Sequence, residues 1–377
     1  MSVKKVGNQW TFRIDIGKDP STGKRRQVYR SGFRTKKEAE QAQAALLTKV
    51  KEEGFFAGSN ELMESFLPKW LRTVYKHEVQ QTTFERAEST VKNHILPAFA
   101  KCKVSSIKTY DVQQFLSNKS NQGLAPATVK IIRNTLNKAF QTAMDWELIK
   151  TNPVERTKSP SIVKKEKETW TPEEAKKFLN ACDELRWKVA FSLALHTGMR
   201  RGEILALKWE NVNLEKHTVK VEESLAYTRE QGLMFKTPKT TNSNREIVIP
   251  ASVISLLKEL QHEQKKMKLR MGPSFQHFNL VISTVDGKPI HPRNFARSFD
   301  GLIREAGVKK IPLHGLRHTN ATILMKQGIN PKIVSERLGH ANVGITLDIY
   351  SHTDLEMQIE TAKQLDNLLN EKPASNN

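Results

Sequence analysis

Residues 311–352 constrain this chain more than any other stretch, because they concentrate chemically active side chains in short segments of helical pattern. His314, Arg317 and His318 are spaced i, i+3 and i+4, so a helix would place all three on one face. Arginine and histidine are side chains that hold a phosphate group through charge-assisted hydrogen bonds. The spacing therefore predicts a helix face suited to a phosphate.

The second half of this stretch predicts two further short helices. Asn330-Pro331 is typical of a helix start, and Gly339 of the end of that helix. His340 then follows directly after a helix C-terminus, and Tyr350 lies ten residues further on, after a short helical pattern. Tyrosine is one of the few side chains that can attack phosphorus and become a covalent carrier.

A second phosphate-binding arginine is expected elsewhere, because one arginine cannot hold both non-bridging oxygens of a phosphodiester. The segment TGMRRGEILAL, residues 197–207, supplies Arg200 at a glycine-flanked start of a helix, with Glu203 one turn later. The ordered set Arg, His-x-x-Arg, His, Tyr is then complete. A lone histidine or tyrosine is usually a packing residue, but chance does not readily produce this joint order.

The segments TGMRRGEILAL, HGLRHTNAT and LGHANVGITLDIYSH resemble the motif boxes of the tyrosine recombinases, specifically the integrases of phages and conjugative elements. The resemblance spans residues 168–355 in order and spacing. It implies six catalytic positions, which are Arg200, Lys239, His314, Arg317, His340 and Tyr350. Within PKT, Lys239 matches the catalytic lysine of the family better than Lys236 does, although Lys236 stays open. Glu203 is expected to support Arg200 or a nearby histidine, and His318 to be structural.

The resemblance also implies the reaction. A site-specific DNA recombinase of this kind integrates or excises a mobile element, and it forms a 3′-phosphotyrosyl intermediate and a Holliday junction. Arg200 and Arg317 would hold the phosphate, Lys239 would protonate the leaving 5′ oxygen, and the histidines would assist. The family needs no cofactor, neither ATP nor a metal ion. The implied partners are double-stranded DNA with core-type and arm-type sites, a homotetramer on that DNA, an excisionase and a host DNA-bending protein.

Composition agrees with a polyanionic partner. The 377 residues include 61 Lys and Arg against 40 Asp and Glu, a formal charge of +21. The two cysteines, Cys102 and Cys182, exclude a disulfide framework and a four-cysteine zinc site. The N-terminus lacks a signal-peptide core, and no apolar run has the length of a membrane helix. We therefore expect no membrane association and a location in the cytoplasm of a bacterial host.

Residues 1–54 predict a small sheet followed by one helix. Residues 9–16 alternate apolar and polar side chains, residues 25–33 form a second strand, and a helix follows Thr35. A two-stranded ribbon fits the major groove of DNA, and this segment resembles the arm-site-binding domain of integrases. The candidate DNA contacts are Arg13, Arg25, Arg26 and Arg30. A solvated basic sheet is the alternative interpretation.

Residues 59–156 predict an all-helical domain that resembles the core-site DNA-binding domain of the family. Lys130 and Arg133 are candidate phosphate contacts there, although a solvated helix face explains them equally well. Residues 157–168 are basic and aperiodic, which is typical of a linker between domains. Lys164 and Lys165 in this linker could neutralise phosphates if the linker crosses DNA.

Residues 169–377 predict an α+β catalytic domain with a C-terminal tail helix. Strands are expected at residues 217–221 and 280–284, and residues 235–250 are expected to form two strands around a polar turn. An apolar-striped helix over residues 355–369 could dock on a neighbouring subunit or pack in cis. The fold class is therefore multidomain and mainly α, with a small N-terminal sheet plus helix, a helical domain and a catalytic domain of the tyrosine recombinase type.

Two other functions remain open at this point. A type IB topoisomerase-like enzyme would nick and reseal DNA without exchanging partners, but it would not need a basic N-terminal module. A DNA-binding regulator with an inactive catalytic domain would not need all six catalytic positions. A metal-dependent nuclease is disfavoured because the sequence shows no carboxylate cluster. The attachment sequences and the phage or conjugative origin are not readable from these patterns.

Overall fold

The computed structural model describes residues 3–18, 25–53, 59–161, 167–237, 244–340 and 342–349, together with scattered positions between 359 and 370. The chain divides into two compact units, Met1–Val163 and Lys164–Asn377. Among the described residues, no helix has both the length and the apolar character needed to cross a bilayer. The secondary structure is mainly helical with a small N-terminal sheet, so the predicted fold class is confirmed.

The N-terminal sheet is antiparallel with strand order β1-β2-β3, and one helix packs on it. Its elements are β1 (Val3–Val6), β2 (Gln9–Lys18), β3 (Arg25–Phe33) and α1 (Lys36–Glu53). Phe12 and Ile14 alternate along β2 and are buried with Ala39 of α1, as the period of two predicts. The Thr35 hydroxyl accepts a hydrogen bond from the backbone N–H of Glu38 at 3.2 Å and caps the helix. β1 was not predicted, because it is short and half of its residues are lysine.

The rest of the first unit is helical. Its helices are α2 (Met63–Trp70), α3 (Lys76–Glu78), α4 (Gln81–Thr90), α5 (Leu96–Phe99), α6 (Thr109–Asn121) and α7 (Pro126–Asp145). The wide π turns Leu71–Tyr75 and Val91–Ile95 join α2 to α3 and α4 to α5. Pro97 follows the second turn and has no N–H for a regular helical bond, which favours a local irregularity.

One detail of this helical region differs from the sequence interpretation. A helix beginning near Thr90 was expected, but α4 begins at Gln81. The earlier turns of α4 are polar on most faces, and the buried side chains Phe84 and Ala87 are too few to show a clear period. The core itself agrees with the predicted apolar stripes, because Phe66, Leu67 and Trp70 of α2 are almost completely buried.

The second unit combines helices with two small sheets. Its helices are α8 (Pro172–Asn180), α9 (Leu185–Thr197), α10 (Arg201–Ala206), α11 (Ala251–Met271), α12 (Pro292–Ala306), α13 (Gly315–Lys326), α14 (Pro331–Leu338) and α15 (Val343–Ile349). Its strands are β4 (Val212–Asn213), β5 (Thr218–Val221), β6 (Ser224–Thr228), β7 (Gly232–Lys236) and β8 (Arg245–Val248). One sheet has the order β4-β5-β8, and β6 pairs with β7 in the other.

The predicted strands of this unit need two corrections. Strands do occur within residues 235–250, but β7 pairs with β6 and β8 pairs with β5, so they do not form one hairpin with each other. Residues 280–284 form isolated bridges rather than a strand. Leu280, Val281 and Ile282 are consecutively buried, so this run is a core segment without the alternation of a strand exposed on one face.

An aromatic cluster anchors the helices that carry the site. Its rings are Trp170, Phe178, Phe191, Phe295 and Phe299, and their centroids lie 4.8 to 5.9 Å apart in the contacting pairs. The Trp170 backbone N–H donates to the Thr319 hydroxyl at 3.0 Å, and its indole N–H donates to the Lys309 carbonyl at 2.7 Å. These bonds fix the start of α13 against the core, where small shifts are costly.

Candidate functional site

Arg200 lies between α9 and α10, where the chain reverses direction. Gly198 ends α9 in the left-handed conformation (φ 65°), and Arg200 then serves as the N-cap of α10. Its backbone N–H donates to Glu203 Oε2 at 2.9 Å, and its Nη1 donates to Glu203 Oε1 at 2.7 Å. Nη2 donates to the Gly339 carbonyl at 3.3 Å. The side chain remains 41% exposed, so Arg200 is held in place and still accessible.

Arg317 is the most deeply buried cationic residue of the predicted set. It lies in the first turn of α13 and is 2% exposed. Its Nη1 donates to the Gly198 carbonyl at 2.8 Å, whereas its Nη2 is buried with no hydrogen-bond partner among the described residues. Burial and the neighbouring charge of Arg200 lower its pKa. A buried donor without a partner costs roughly 1–3 kcal/mol, which a bound anion would recover.

The two histidines of the HGLRH segment lie edge to face. His314 is the N-cap of α13, and its ring centroid lies 4.7 Å from that of His318, one turn later. His314 is exposed overall, but partial desolvation of its ring, followed by the charges of Arg317 and Arg200, lowers its pKa. Burial lowers the pKa of His318 further, to about 3, and its Nδ1 has no partner among the described residues. Both rings are therefore neutral near pH 7.

His340 follows the left-handed Gly339 that ends α14, as the sequence predicts. Its backbone N–H donates to the Ser335 carbonyl at 3.0 Å, and its Nδ1 lies 2.8 Å from the buried hydroxyl of Thr346 in α15. Burial and the charges of Arg317 and Arg200 lower its pKa to about 4. With Nδ1 paired to the hydroxyl, the Nε2 edge of a neutral ring is left for another partner.

A cavity of about 450 Å³ joins the segments that carry Arg200 and the HGLRH residues, whereas His340 is not among its lining residues. Arg200, His314 and Arg317 line it, together with Arg201 and an apolar wall. The cavity wall includes Met199, Leu225, Phe295, Leu313 and Leu316. The arrangement brings the guanidinium groups of Arg200 and Arg317 and the imidazole of His314 to one open space, which is suited to a single phosphodiester.

Glu203 is the acidic centre behind this cavity. It is 5% exposed, and its Oε2 accepts a hydrogen bond from Arg245 Nη2 at 2.8 Å. Burial alone would raise the pKa of the Glu203 carboxyl, but the hydrogen bond and charge of Arg245, and the hydrogen bonds of Arg200, hold it below its usual range. The expected contact between Glu203 and Arg200 is present at 2.7 Å.

Three residues near the site were missed by the sequence interpretation. Arg245 begins β8 on the same face as the buried Ile247, so an arginine at an inward position of an alternating strand was the available signal. Thr346 lies in α15 and contacts His340, which follows α14, and no local pattern predicts that contact. The charge of Lys167 helps to lower the pKa values of His314 and His340, but its position in the linker gave no sign of this.

Four predicted residues lie outside the described part of the chain. They are Lys239, Tyr350, Lys164 and Lys165. The described part of α15 ends at Ile349, directly before Tyr350 in sequence. Lys236, the alternative to Lys239, is the last residue of β7. The predicted tail helix is described only at scattered positions, which are helical.

The N-terminal candidates lie on or beside the small sheet of the first unit. Arg13, Arg25 and Arg30 are exposed, and the guanidinium of Arg13 lies 5.8 Å from the centroid of the cross-strand Tyr29 ring. Arg26 is in β3, but its side chain lies outside the described set. The sheet thus displays exposed cations together with an exposed aromatic ring.

Lys130 and Arg133, both on α7, differ in environment. Lys130 is exposed. Arg133 is half-buried, and it donates through Nε to the Thr157 carbonyl at 3.1 Å and through Nη2 to the carbonyls of Val154 and Glu155 at 3.1 Å. Arg133 therefore ties the end of the helical region to α7, and its suggested phosphate contact stays a prediction.

Comparison with protein families gives three matches along the chain. Residues 168–357 match the phage integrase family, residues 1–50 match an arm DNA-binding domain, and residues 62–120 match the N-terminal SAM-like domain of phage integrases. The first match alone covers half of the chain and includes the segments with Arg200, Arg317 and His340.

Individual proteins agree with these matches. A XerC-like tyrosine recombinase of Caldanaerobacter subterraneus subsp. tengcongensis is 30% identical over 97% of this chain and 98% of its own length. The integrase of transposon Tn1549, solved with transposon right end DNA, superposes with a TM-score of 0.68 at 20% identity, over 81% of this chain and all of that one. A lambda integrase tetramer bound to a Holliday junction superposes with a TM-score of 0.58 at 20% identity, over 91% of this chain and 92% of that one. The chain belongs to the phage integrase family and is a site-specific tyrosine recombinase.

Proposed function

We propose that this recombinase integrates or excises a mobile element by using Tyr350 to attack one DNA phosphodiester at a time. The observation that carries the proposal is the shared cavity of Arg200, His314 and Arg317, which brings together segments more than 100 residues apart in sequence. Tyr350 follows α15, the helix whose Thr346 contacts His340. Every residue type that the family's reaction needs is thus present in the chain.

The two arginines would bind the non-bridging oxygens of the phosphate and stabilise the charge that develops there. Arg200 is partly exposed at the cavity, and Arg317 keeps a buried Nη2 that has no partner in the described part of the chain. Preorganised donors of this kind stabilise a transition state without reorganising during the reaction. One arginine on transferring phosphoryl oxygens is worth roughly 10³ to 10⁵ in rate.

Proton transfer would be divided among three groups. A free tyrosine has a pKa near 10, so the Tyr350 phenol would need a proton acceptor, and the neutral His314 at the cavity is suited to that role. His340 would donate from Nε2 to a phosphate oxygen, because its Nδ1 is paired with Thr346. Lys239 would protonate the leaving 5′ oxygen, with Lys236 as the alternative. Glu203 would support Arg200 without contacting the DNA.

The covalent 3′-phosphotyrosyl bond would preserve the energy of the phosphodiester. A 5′ hydroxyl from another strand could then attack it and rejoin the DNA, so neither ATP nor a metal ion enters the proposed reaction. Two rounds of exchange on two duplexes pass through a Holliday junction, and they require four active sites. The lambda integrase tetramer on a Holliday junction supports a homotetramer for this chain as well.

We assign the DNA contacts to separate regions. Residues 1–54 would bind arm-type sites, residues 59–156 core-type sites, residues 157–168 would form the basic linker with Lys164 and Lys165, and residues 169–377 would carry the chemistry. The match of residues 1–50 to an arm DNA-binding domain supports the first assignment. We further propose an excisionase and a host DNA-bending protein as partners, and a bacterial cytoplasm as the setting.

The test uses a nicked duplex that carries a candidate core site of the element. Wild type is expected to give a 3′-linked protein–DNA adduct on a denaturing gel, whereas Tyr350→Phe binds the same DNA and gives none. A plasmid with two sites then separates recombination from the topoisomerase-like alternative, which would only relax it. If both proteins bind the duplex and neither forms an adduct, the chain acts as a DNA-binding regulator and the proposal is wrong.

A further inference from the structure

We propose that Arg245 is a positioning residue of this recombinase, which neutralises Glu203 so that the charge of Arg200 remains available to the phosphate. The inference rests on the proposed function, because it assumes that Arg200 binds the scissile phosphate. Arg245 is not one of the six residues that the family motif supplies. Its role follows from its burial, its bonds to Glu203 and to the Arg337 carbonyl, and its place in the chain.

Arg245 is buried, unlike the arginine that it would serve. Its side chain is 7% exposed, whereas that of Arg200 is 41% exposed. As the first residue of β8, it lies on the same face as the buried Ile247, so the strand directs it inward. Arg200 lines the open cavity, and Arg245 is not among the residues that line it. Arg245 therefore acts on the protein rather than on the DNA.

Glu203 is shared between the two guanidinium groups, one at each carboxylate oxygen. Arg200 Nη1 lies 2.7 Å from Oε1, and Arg245 Nη2 lies 2.8 Å from Oε2. A buried carboxylate needs a paired charge, because its desolvation is otherwise costly. With Arg245 present, the group of three carries a net positive charge. Without Arg245, Glu203 and Arg200 would form a neutral pair. Glu203 would then compete with the phosphate for the Arg200 guanidinium.

Arg245 also fixes the other partner of Arg200. Its Nε donates to the Arg337 carbonyl at 2.8 Å near the end of α14, two residues before Gly339. The Gly339 carbonyl in turn accepts a hydrogen bond from Arg200 Nη2 at 3.3 Å, and His340 follows Gly339 in sequence. One side chain thus holds both the carboxylate and the helix end that orient Arg200. In sequence, Arg245 lies six residues after Lys239.

The experiment measures single-turnover adduct formation and DNA binding for full-length variants. Arg245→Gln is expected to slow adduct formation by about 10² to 10³, with DNA affinity changed by less than about threefold, because removal of an interaction that orients a transition-state donor lowers the chemical step. Adding Glu203→Gln to this variant removes the uncompensated charge. The double variant is therefore expected to recover at least about tenfold over Arg245→Gln.

Arg186→Gln is the matched control. Arg186 is also a partly buried arginine of the second unit, and its Nη1 donates to the Ser283 carbonyl at 3.1 Å. Among the described residues, it has no contact with Glu203, Arg200 or the end of α14. Its loss is expected to lower the melting temperature to a similar extent as Arg245→Gln and to leave adduct formation within about threefold of wild type. A parallel loss of rate in both variants would assign the Arg245 effect to folding.

The outcomes separate this inference from the proposed function. If wild type forms no adduct, the proposed function is wrong, and the comparison among variants does not arise. If wild type reacts and Arg245→Gln reacts equally fast, only the role of Arg245 is overturned. The same conclusion follows if the double variant is no faster than Arg245→Gln. A slow single variant, a partly restored double variant and a near-normal Arg186→Gln would establish the role.

Discussion

The arginines around the cavity and those on the N-terminal sheet differ in how they are held. In the second unit, Arg200, Arg245 and Arg317 are fixed by backbone carbonyls and by one buried carboxylate. On the N-terminal sheet, Arg13 and Arg30 are exposed, and the Arg13 guanidinium contacts the ring of Tyr29. The first group is preorganised at the expense of desolvation, whereas the second stays hydrated until a partner arrives.

This difference predicts two kinds of response to substitution. Fixed arginines act on a developing charge, so their loss should change the rate of strand cleavage more than DNA affinity. Hydrated cations act by releasing counterions, so their loss should change the affinity and its salt dependence, not the cleavage step. The four predictions below sharpen or break this contrast.

The largest effect is expected for Arg317→Lys. Lysine keeps the charge but cannot donate to the Gly198 carbonyl and a phosphate oxygen with one planar group. Single-turnover adduct formation should fall by roughly 10³, and binding should change by only a few fold. Arg304→Lys, an exposed change on α12, serves as the control. A comparable fall in binding would show that Arg317 acts as a surface contact.

The next effect compares two residues of α7. Arg133→Ala removes hydrogen bonds to the carbonyls of Val154, Glu155 and Thr157, so we expect a loss of about 2–3 kcal/mol in the free energy of unfolding. Lys130→Ala removes an exposed side chain and should cost less than about 0.5 kcal/mol. Urea unfolding followed by circular dichroism measures both. Equal losses would contradict the structural role of Arg133.

A third prediction concerns pH. Burial lowers the pKa of His318 to about 3, below the ordinary value of 6.5, so the folded chain keeps this ring neutral while the unfolded chain takes up a proton. Stability should therefore fall as the pH drops below 6.5, and the loss should be complete near pH 3. Allowing for partial exposure, His318 should account for about 1 kcal/mol between pH 7.5 and 5.

The measurement for this third prediction is the melting temperature of wild type and His318→Gln across that range. The variant should lose less stability on acidification than wild type. His340, whose pKa is lowered to about 4, remains in both proteins and should preserve part of the fall. Identical slopes for the two proteins would show that His318 is protonated in the folded state at the same pH as in the unfolded chain.

The smallest effect on stability is expected for Arg13→Ala. The contact between Arg13 and Tyr29 lies at an exposed site, where a cation–π pair contributes about 0.5 kcal/mol. If Arg13 binds a phosphate, the slope of log affinity against log salt should fall in magnitude by about one. Fluorescence anisotropy with arm-site DNA at several salt concentrations measures this slope. An unchanged slope would favour the solvated-sheet interpretation.

Sequence patterns predicted local features well. The helix starts at Thr35 and Asn330 follow from capping chemistry, and Gly339 marks a helix end in the left-handed conformation. The motif spacing also identified Arg200, His314 and Arg317, which line one cavity. These features depend on neighbours within a few residues, or on an order of residues that the chemistry itself requires.

Long-range partners were beyond prediction. The contact of His340 with Thr346 and the bond from Arg245 to Glu203 depend on how helices and strands meet in space. The prediction of one hairpin from β7 and β8 was wrong for the same reason. Strands next to each other in sequence are usually expected to pair, but here each pairs with another strand. No period within either strand distinguishes one pairing partner from another.

That pairing has a consequence for changes of length between residues 237 and 244. In an ordinary hairpin, the number of connecting residues sets the alignment of both strands, and a change of one residue turns every side chain to the opposite face. Here β7 is aligned by β6, and β8 by β5. Insertions or deletions in this connection would therefore leave both alignments intact, so the region that contains Lys239 can be lengthened or shortened by engineering without transmitting a slip into either sheet.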